Sequence, residues 1–285
     1  MARRLHGAIA AAVTPLTDGG RSLDPDSFGP LVEFLAAGGV DGLLACGTTG
    51  EGMLLTVRER RHVAEAFLAV RPEGFQVAVH AGAQTTRDTV ALAAHALEVG
   101  ADAVAVIAPP YFPLDPIALY DHFRSAADAC DPLPFYIYEF ADRSGYAIPL
   151  DVVGRLRREQ GNVVGMKVSD TPFDAIEPYL VEGMDVFVGS EPLVRAAMER
   201  GAVGAVSGLA SAWPDVVASL VHEHSPEAHL HVTELREQLA GIPFHAALKQ
   251  VLTDRGVLLR GDVRPPLRAL TLEERTTVST FSVPA

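Results

Sequence analysis

The sequence predicts an α/β chain folded as a closed (β/α)8 barrel, a TIM barrel, with a C-terminal helical extension. Three observations predict it. Eight short apolar runs recur along the chain, amphipathic segments of helical period lie between them, and no linker-like stretch interrupts the 285 residues. A barrel of this type takes about 250 residues, so the stretch beyond about residue 225 is surplus and reads as added helices. The expected division is a barrel over 1–224 and an extension over 225–285 packed on it. An open doubly wound sheet would share the alternation. It is disfavoured because no G-x-G-x-x-G follows a strand and no Walker-type loop occurs, which also leaves nucleotide cofactors without support.

The strands are expected at Ala8–Val13, Gly42–Cys46, Gln76–His80, Ala103–Ala108, Phe135–Tyr138, Val163–Val168, Asp185–Val188 and Gly204–Ser207. Each is apolar at consecutive positions, the pattern of strands buried on both faces. Between the first two, Asp24-Pro25-Asp26 opens a helix that Gly38-Gly39 closes. Thr56 precedes a helix over Val57–Val70, and Thr85-Thr86-Arg87-Asp88 has the capping-box form before the next. Helices are expected again at about 116–130, 149–160, 172–182 and 191–200. In the extension, Leu230–Leu239 and Phe244–Leu252 have helical spacing.

Charge and cysteine usage narrow the class of function. The formal net charge of −13 and the absence of a basic run exclude a nucleic-acid partner. Two cysteines, Cys46 and Cys130, are too few for a disulfide framework and lack metal-ligand spacing, which fits a reduced, cytoplasmic setting. The apolar run near the N-terminus is strand-length and has no cleavage-like pattern after it. No stretch approaches the ~20 continuous apolar residues of a membrane helix. His222, His224, His229 and His231 are read as a polar connection without companions at ligand spacing, so no metal site is expected.

In a barrel the chemistry belongs at the C-terminal ends of the strands. Gly47-Thr48-Thr49-Gly50-Glu51 follows the second run; its backbone N–H groups and hydroxyls could cradle a small anion or simply cap the next helix. Only two of the 23 basic residues are lysines, Lys167 and Lys249. Lys167 lies near the end of an otherwise apolar strand, where desolvation favours the neutral, nucleophilic amine that Schiff-base formation requires. A strand-end lysine that reaches solvent or pairs with an acid is the alternative. Lys249 falls in a tail helix and reads as structural. Tyr136 and Tyr138, two apart on one strand, point the same way. Arg143, in the polar loop beyond, could bind an acidic substrate or merely be solvated.

Taken together, Gly47-Thr48-Thr49-Gly50-Glu51, Tyr138 with Arg143-Ser144-Gly145, and Gly165-Met166-Lys167 resemble the dihydrodipicolinate synthase / N-acetylneuraminate lyase family. Val188-Gly189-Ser190, Gly204-Ala205-Val206-Ser207 and Arg264-Pro265-Pro266-Leu267 extend the resemblance over nearly the whole chain. It implies a barrel with a helical extension, a homotetramer or homodimer, and a class I aldolase-type lyase of pyruvate or a 2-keto acid that uses neither metal nor organic cofactor. Carried over by position, Lys167 would form the imine, Tyr138 would move protons linked through Thr48, and Thr48 and Thr49 in the loop opened by Gly47 would hold the carboxylate. Gly189 and Val206 would line the pocket.

The chain departs from the family pattern in several places. Phe112 stands where the synthases carry a tyrosine that completes a neighbouring subunit's relay; Tyr111 is the adjacent substitute. Glu139 replaces an asparagine, Ala141 a proline, and Glu191 an aspartate. Extra carboxylates at the pocket would disfavour an acidic partner or bind sugar-acid hydroxyls. The expected substrates are therefore a 2-keto acid plus an aldehyde, as in a 2-keto-3-deoxy sugar acid aldolase or a synthase. A sugar-acid dehydratase using the same imine, and an idle keto-acid binder, are the alternatives.

Overall fold

Eight parallel strands follow one another around a closed barrel in chain order, with the last hydrogen-bonded to the first. They are β1 (Gly7–Ala11), β2 (Gly42–Ala45), β3 (Gln76–His80), β4 (Ala103–Ile107), β5 (Phe135–Glu139), β6 (Val163–Val168), β7 (Asp185–Val188) and β8 (Gly204–Ser207). The coordinates are a computed structural model that describes residues 4–281.

Alternation along the strands explains their unbroken apolarity. Ile9, Leu44, Ala78, Ala103, Tyr136, Phe187 and Val206 fill the lumen, while Ala8, Leu43, Val77, Val104, Ile137 and Met166 pack outward against the helices. Both sides are thus core, as expected for a parallel sheet with its faces covered. At the bottom of the lumen, the Leu5 N–H donates to Tyr136 Oη at 3.0 Å. Gly165 has to be a glycine, because an added Cβ would lie 2.6 Å from the Tyr136 ring and 2.2 Å from the Asp185 carbonyl.

The helices start where local capping chemistry places them. A single 3-10 turn at Pro25–Ser27, capped by Asp24, leads into α1 (Phe28–Ala37). Thr56 and Glu59 form a reciprocal capping box on α2 (Val57–Val70), and Thr85 caps α3 (Thr86–Glu98). Asp115 accepts from two N–H groups at the start of α4 (Pro116–Cys130). These are followed by α5 (Leu150–Glu159), α6 (Glu191–Met198) and α7 (Pro214–His222).

Three local expectations are corrected. β1 ends at Ala11 rather than Val13, and the chain turns there into a small hairpin of Leu16–Thr17 with Ser22–Leu23. The connection between β6 and β7 is only a helical turn, Phe173–Ile176, and a 3-10 turn, Glu177–Tyr179. Pro178, with no N–H to donate, interrupts the longer helix expected there. The first extension helix, α8 (Pro226–Gln238), starts at Ser225 and Pro226, a polar cap that apolar spacing alone passes over. His229 and His231 therefore lie on a helix, and His222 ends α7 with Nε2 3.0 Å from Asp41. Beyond α8, α9 (Phe244–Asp254) packs over the mouth of the barrel and α10 (Leu272–Thr280) packs on α9.

Candidate active site

Strand register brings the two central groups together. Tyr138 on β5 is paired with Lys167 on β6, and both side chains point into the upper lumen. Lys167 Nζ sits 3.8 Å from the centre of the Tyr138 ring and donates to Ser169 Oγ at 2.6 Å. It forms no ion pair among the described residues. Tyr138, 1% exposed, shares a 3.1 Å hydrogen bond with Thr48 Oγ1. The Thr48 carbonyl accepts from His245 Nε2 at 2.9 Å, which fixes the proton of that imidazole on Nε2.

These groups face one cavity of about 470 Å³ at the C-terminal end of the barrel. Lys167, Tyr138, Thr48, Thr49, Arg143, Gly189 and Val206 all line it. Gly189 permits the close approach: a Cβ there would fall 2.0 Å from Ser169 Oγ and 3.1 Å from Lys167 Nζ. Any side chain at 189 would push the amine or its hydroxyl partner aside.

Three of the sequence candidates lie elsewhere. Glu139 follows inward-facing Tyr138 and so points outward. Its Oε2 accepts from the Ile148 N–H at 2.8 Å beneath the following loop, and the side chain does not reach the cavity. Tyr111 is 81% exposed on the outer surface, edge-on to Phe112 at a ring separation of 4.8 Å. Gly47 is buried behind the threonines, its carbonyl accepting from the Gly52 N–H at 3.1 Å.

The electrostatics correct the expectation of extra negative charge at the pocket. Burial pushes the Glu139 carboxyl up to about 8, so it keeps its proton at neutral pH. Glu191 is fully buried as well. There burial is outweighed by the Arg236 guanidinium, with Nε at 2.7 Å, the Ser207 hydroxyl and the Leu209 N–H, and the carboxyl is held below its ordinary value. Neither acid offers a free anion to a ligand. Beside Tyr138, burial and then the neighbouring Arg60 keep His80 neutral.

Sequence reading missed several groups on the wall. Ser169, Thr171, Phe140 and Asp142 line the cavity, as do Arg236, Phe244 and His245 from the extension. Ser169 carried a signal, since it is two residues from Lys167 and the strand period places it on the same face. The extension residues carried none, because only the folded chain brings them over the mouth.

A (β/α)8 barrel that presents a lysine without an acid partner, beside a linked tyrosine and threonine hydroxyl, defines a class I aldolase-type site. The chain belongs to the dihydrodipicolinate synthetase family, whose model matches residues 4–282. It is a lyase of that class. It is 35% identical over 286 residues to an uncharacterised DapA-like lyase of Halobacterium salinarum, covering 95% of this chain and 91% of that one. It is 34% identical over 282 residues to the 4-hydroxy-tetrahydrodipicolinate synthase of Thermus thermophilus, covering 95% and 93%. The crystal structure of dihydrodipicolinate synthase from Aquifex aeolicus superposes with a TM-score of 0.88 at 29% identity, covering 97% of this chain and 96% of that one. No helix among the described residues is long and apolar enough to cross a membrane.

Proposed function

We propose that Lys167 forms a Schiff base with the keto carbon of pyruvate or a related 2-keto acid, and that the derived enamine makes or breaks a C–C bond with an aldehyde. One observation carries this reading: Lys167 Nζ, Tyr138 and Thr48 are held together in a single cavity, the amine 3.8 Å from the ring and the two hydroxyls 3.1 Å apart. The amine adds to the keto carbon, and loss of water gives the protonated imine. Tyr138, coupled to Thr48, supplies the proton that leaves with that oxygen. The imine is an electron sink, so a proton leaves the neighbouring carbon and the enamine adds to the aldehyde carbon; cleavage runs the same steps backwards. Thr48 and Thr49 hold the carboxylate, with Gly189 and Val206 shaping the pocket around the methyl group.

The outer wall supports a hydroxylated or carboxylated aldehyde. Arg143, Ser190 and His245 face that part of the cavity, and the nearby acids Glu139 and Glu191 are protonated or paired. A homo-oligomer, tetramer or dimer, working in the cytoplasm completes the reading. The exposed Tyr111–Phe112 pair supports it as an apolar surface for another subunit. Borohydride reduction with pyruvate present, followed by peptide mass mapping, tests the mechanism. A reduced adduct on Lys167 is expected; no adduct, or one on Lys249, defeats it. A panel of aldehydes and 2-keto-3-deoxy acids then separates aldol turnover from dehydration. Adduct formation without any turnover would mark an idle keto-acid binder.

A further inference from the structure

Behind the cavity wall lies a pair of acids that the mechanism above does not use. Glu139 ends β5, and Asp170 lies two residues beyond β6. The Ser169 N–H donates to the Glu139 carbonyl at 3.0 Å, which holds the two chain segments side by side. Both residues are more than nine-tenths buried, with exposures of 1% and 7%. Each spends one oxygen on a backbone N–H at 2.8 Å, Glu139 Oε2 on Ile148 and Asp170 Oδ1 on Ala141. The remaining oxygens, Glu139 Oε1 and Asp170 Oδ2, have no N–H or O–H partner, and the two carboxyls are in hydrogen-bonding contact with each other.

Those two N–H groups are the ends of one loop. Ala141 begins the helical turn Ala141–Ser144, which presents Asp142 and Arg143 to the cavity, and Ile148 is where the loop returns to the core. Two buried carboxylates in contact cannot both ionise. One proton between them turns a repulsion into an O–H···O bond and ties both ends of the loop to the barrel. We propose that Glu139 and Asp170 share a single proton, and that this shared proton sets the position of Arg143 at the cavity mouth. They are positioning residues, acting on substrate through Arg143. The inference rests on the reading of the cavity as the keto-acid site.

The surroundings favour the singly protonated state. Burial raises both acids; the charge and hydrogen bond of Asp170 raise Glu139 further, whereas the hydrogen bond with Glu139 lowers Asp170. Asp142, on the helical turn, adds to that charge, while Lys167, on β6, favours the anion on Asp170. Two tyrosines face the pair from the loop and from the 3-10 turn before β7. Tyr146 donates to the Pro109 carbonyl at 3.0 Å and Tyr179 to the Ile148 carbonyl at 2.7 Å, so neither hydroxyl satisfies a carboxyl oxygen. Glu139 thus carries the proton and donates it to Asp170. When the proton passes to solvent base, two anions are left in contact and the loop loses its tie.

The test is the pH dependence of KM and kcat with pyruvate, read from about pH 6 to above the Glu139 value of about 8. Expected is a KM that is flat at low pH and rises roughly tenfold over the alkaline limb, with a smaller change in kcat. Glu139→Gln replaces the shared proton with an amide N–H that does not titrate, so the low-pH KM persists and the alkaline rise disappears. Glu139→Ala removes the tie, raising KM at every pH. An alkaline rise that survives in Glu139→Gln belongs to another group and overturns the proposal. Carbon-13 NMR of labelled glutamate carboxyls reads the same proton without substrate. If no carboxyl that is lost in Glu139→Gln titrates near 8, the shared proton is wrong even if pyruvate traps on Lys167. If such a carboxyl titrates but pyruvate does not trap, it is the keto-acid reading that has failed.

Discussion

Lys249 and Glu51 form an ion pair, 2.5 Å long, in which neither side chain meets solvent. Lys249 lies on α9 in the extension, and Glu51 closes the loop that carries Thr48 and Thr49 in the barrel. Lys249 also donates to the Asp262 carbonyl at 2.7 Å, and the second Glu51 oxygen accepts from the Arg264 N–H at 2.6 Å. Together with the His245–Thr48 bond, the extension therefore holds the Thr48–Thr49 loop from behind.

Removing one member of that pair strands a buried charge. Lys249→Met is expected to cost about 3–5 kcal/mol, read as a lower urea midpoint. The folded fraction should still trap pyruvate on Lys167, with a raised KM. A loss below about 1 kcal/mol, typical of an exposed pair, would mean that Glu51 finds other partners.

Tyr138→Phe isolates the hydroxyl from the ring. The ring that covers Lys167 stays, and the bond to Thr48 is lost, at about 1 kcal/mol of stability. Because a positioned acid–base group contributes roughly 100- to 10,000-fold, kcat should fall within that range. Unchanged turnover would remove Tyr138 from the proton path.

Gly189→Ala tests the crowding around the amine. A methyl group 2.0 Å from Ser169 Oγ has to displace it, with an overpacking cost of about 1–3 kcal/mol. Turnover should drop steeply, and Ser169→Ala in the same chain should recover part of it by clearing space. Equal loss in single and double variants would put the problem in the backbone instead.

The Glu191–Arg236 pair makes an acid-side prediction. The folded Glu191 carboxyl lies below its ordinary value, so between the two values the folded chain binds fewer protons than the unfolded one. Stability from this group is present above the ordinary carboxyl pKa and is lost as pH falls through the folded one. Arg236→Met should cost about 3–5 kcal/mol at neutral pH. Its deficit against the parent should shrink on acidification, once Glu191 takes up a proton. Urea melts at several pH values would show a constant deficit if the pair contributed nothing.

The barrel was legible because its signals are local. Strand runs bury on both faces, and caps such as Thr56 and Thr85 announce helix starts within four residues. Lys167 was legible too, as a charge at the end of an apolar strand. The outward turn of Glu139 follows from the strand alternation that points Tyr138 inward, so the sequence contained it. What stayed hidden depends on distant parts of the chain meeting. Arg236 reaches Glu191 across 45 positions and His245 reaches Thr48 across 197. No period or motif near either residue announces its partner.

The scarcity of lysine has a practical side. Of the two lysine amines, one is sealed in an ion pair and the other opens into the cavity. An amine-directed acylating reagent small enough to enter therefore has one reachable lysine on the described chain, and it is the proposed nucleophile. Covalent labelling of lysine would count active sites directly, and protection by pyruvate would report occupancy without any assay of turnover.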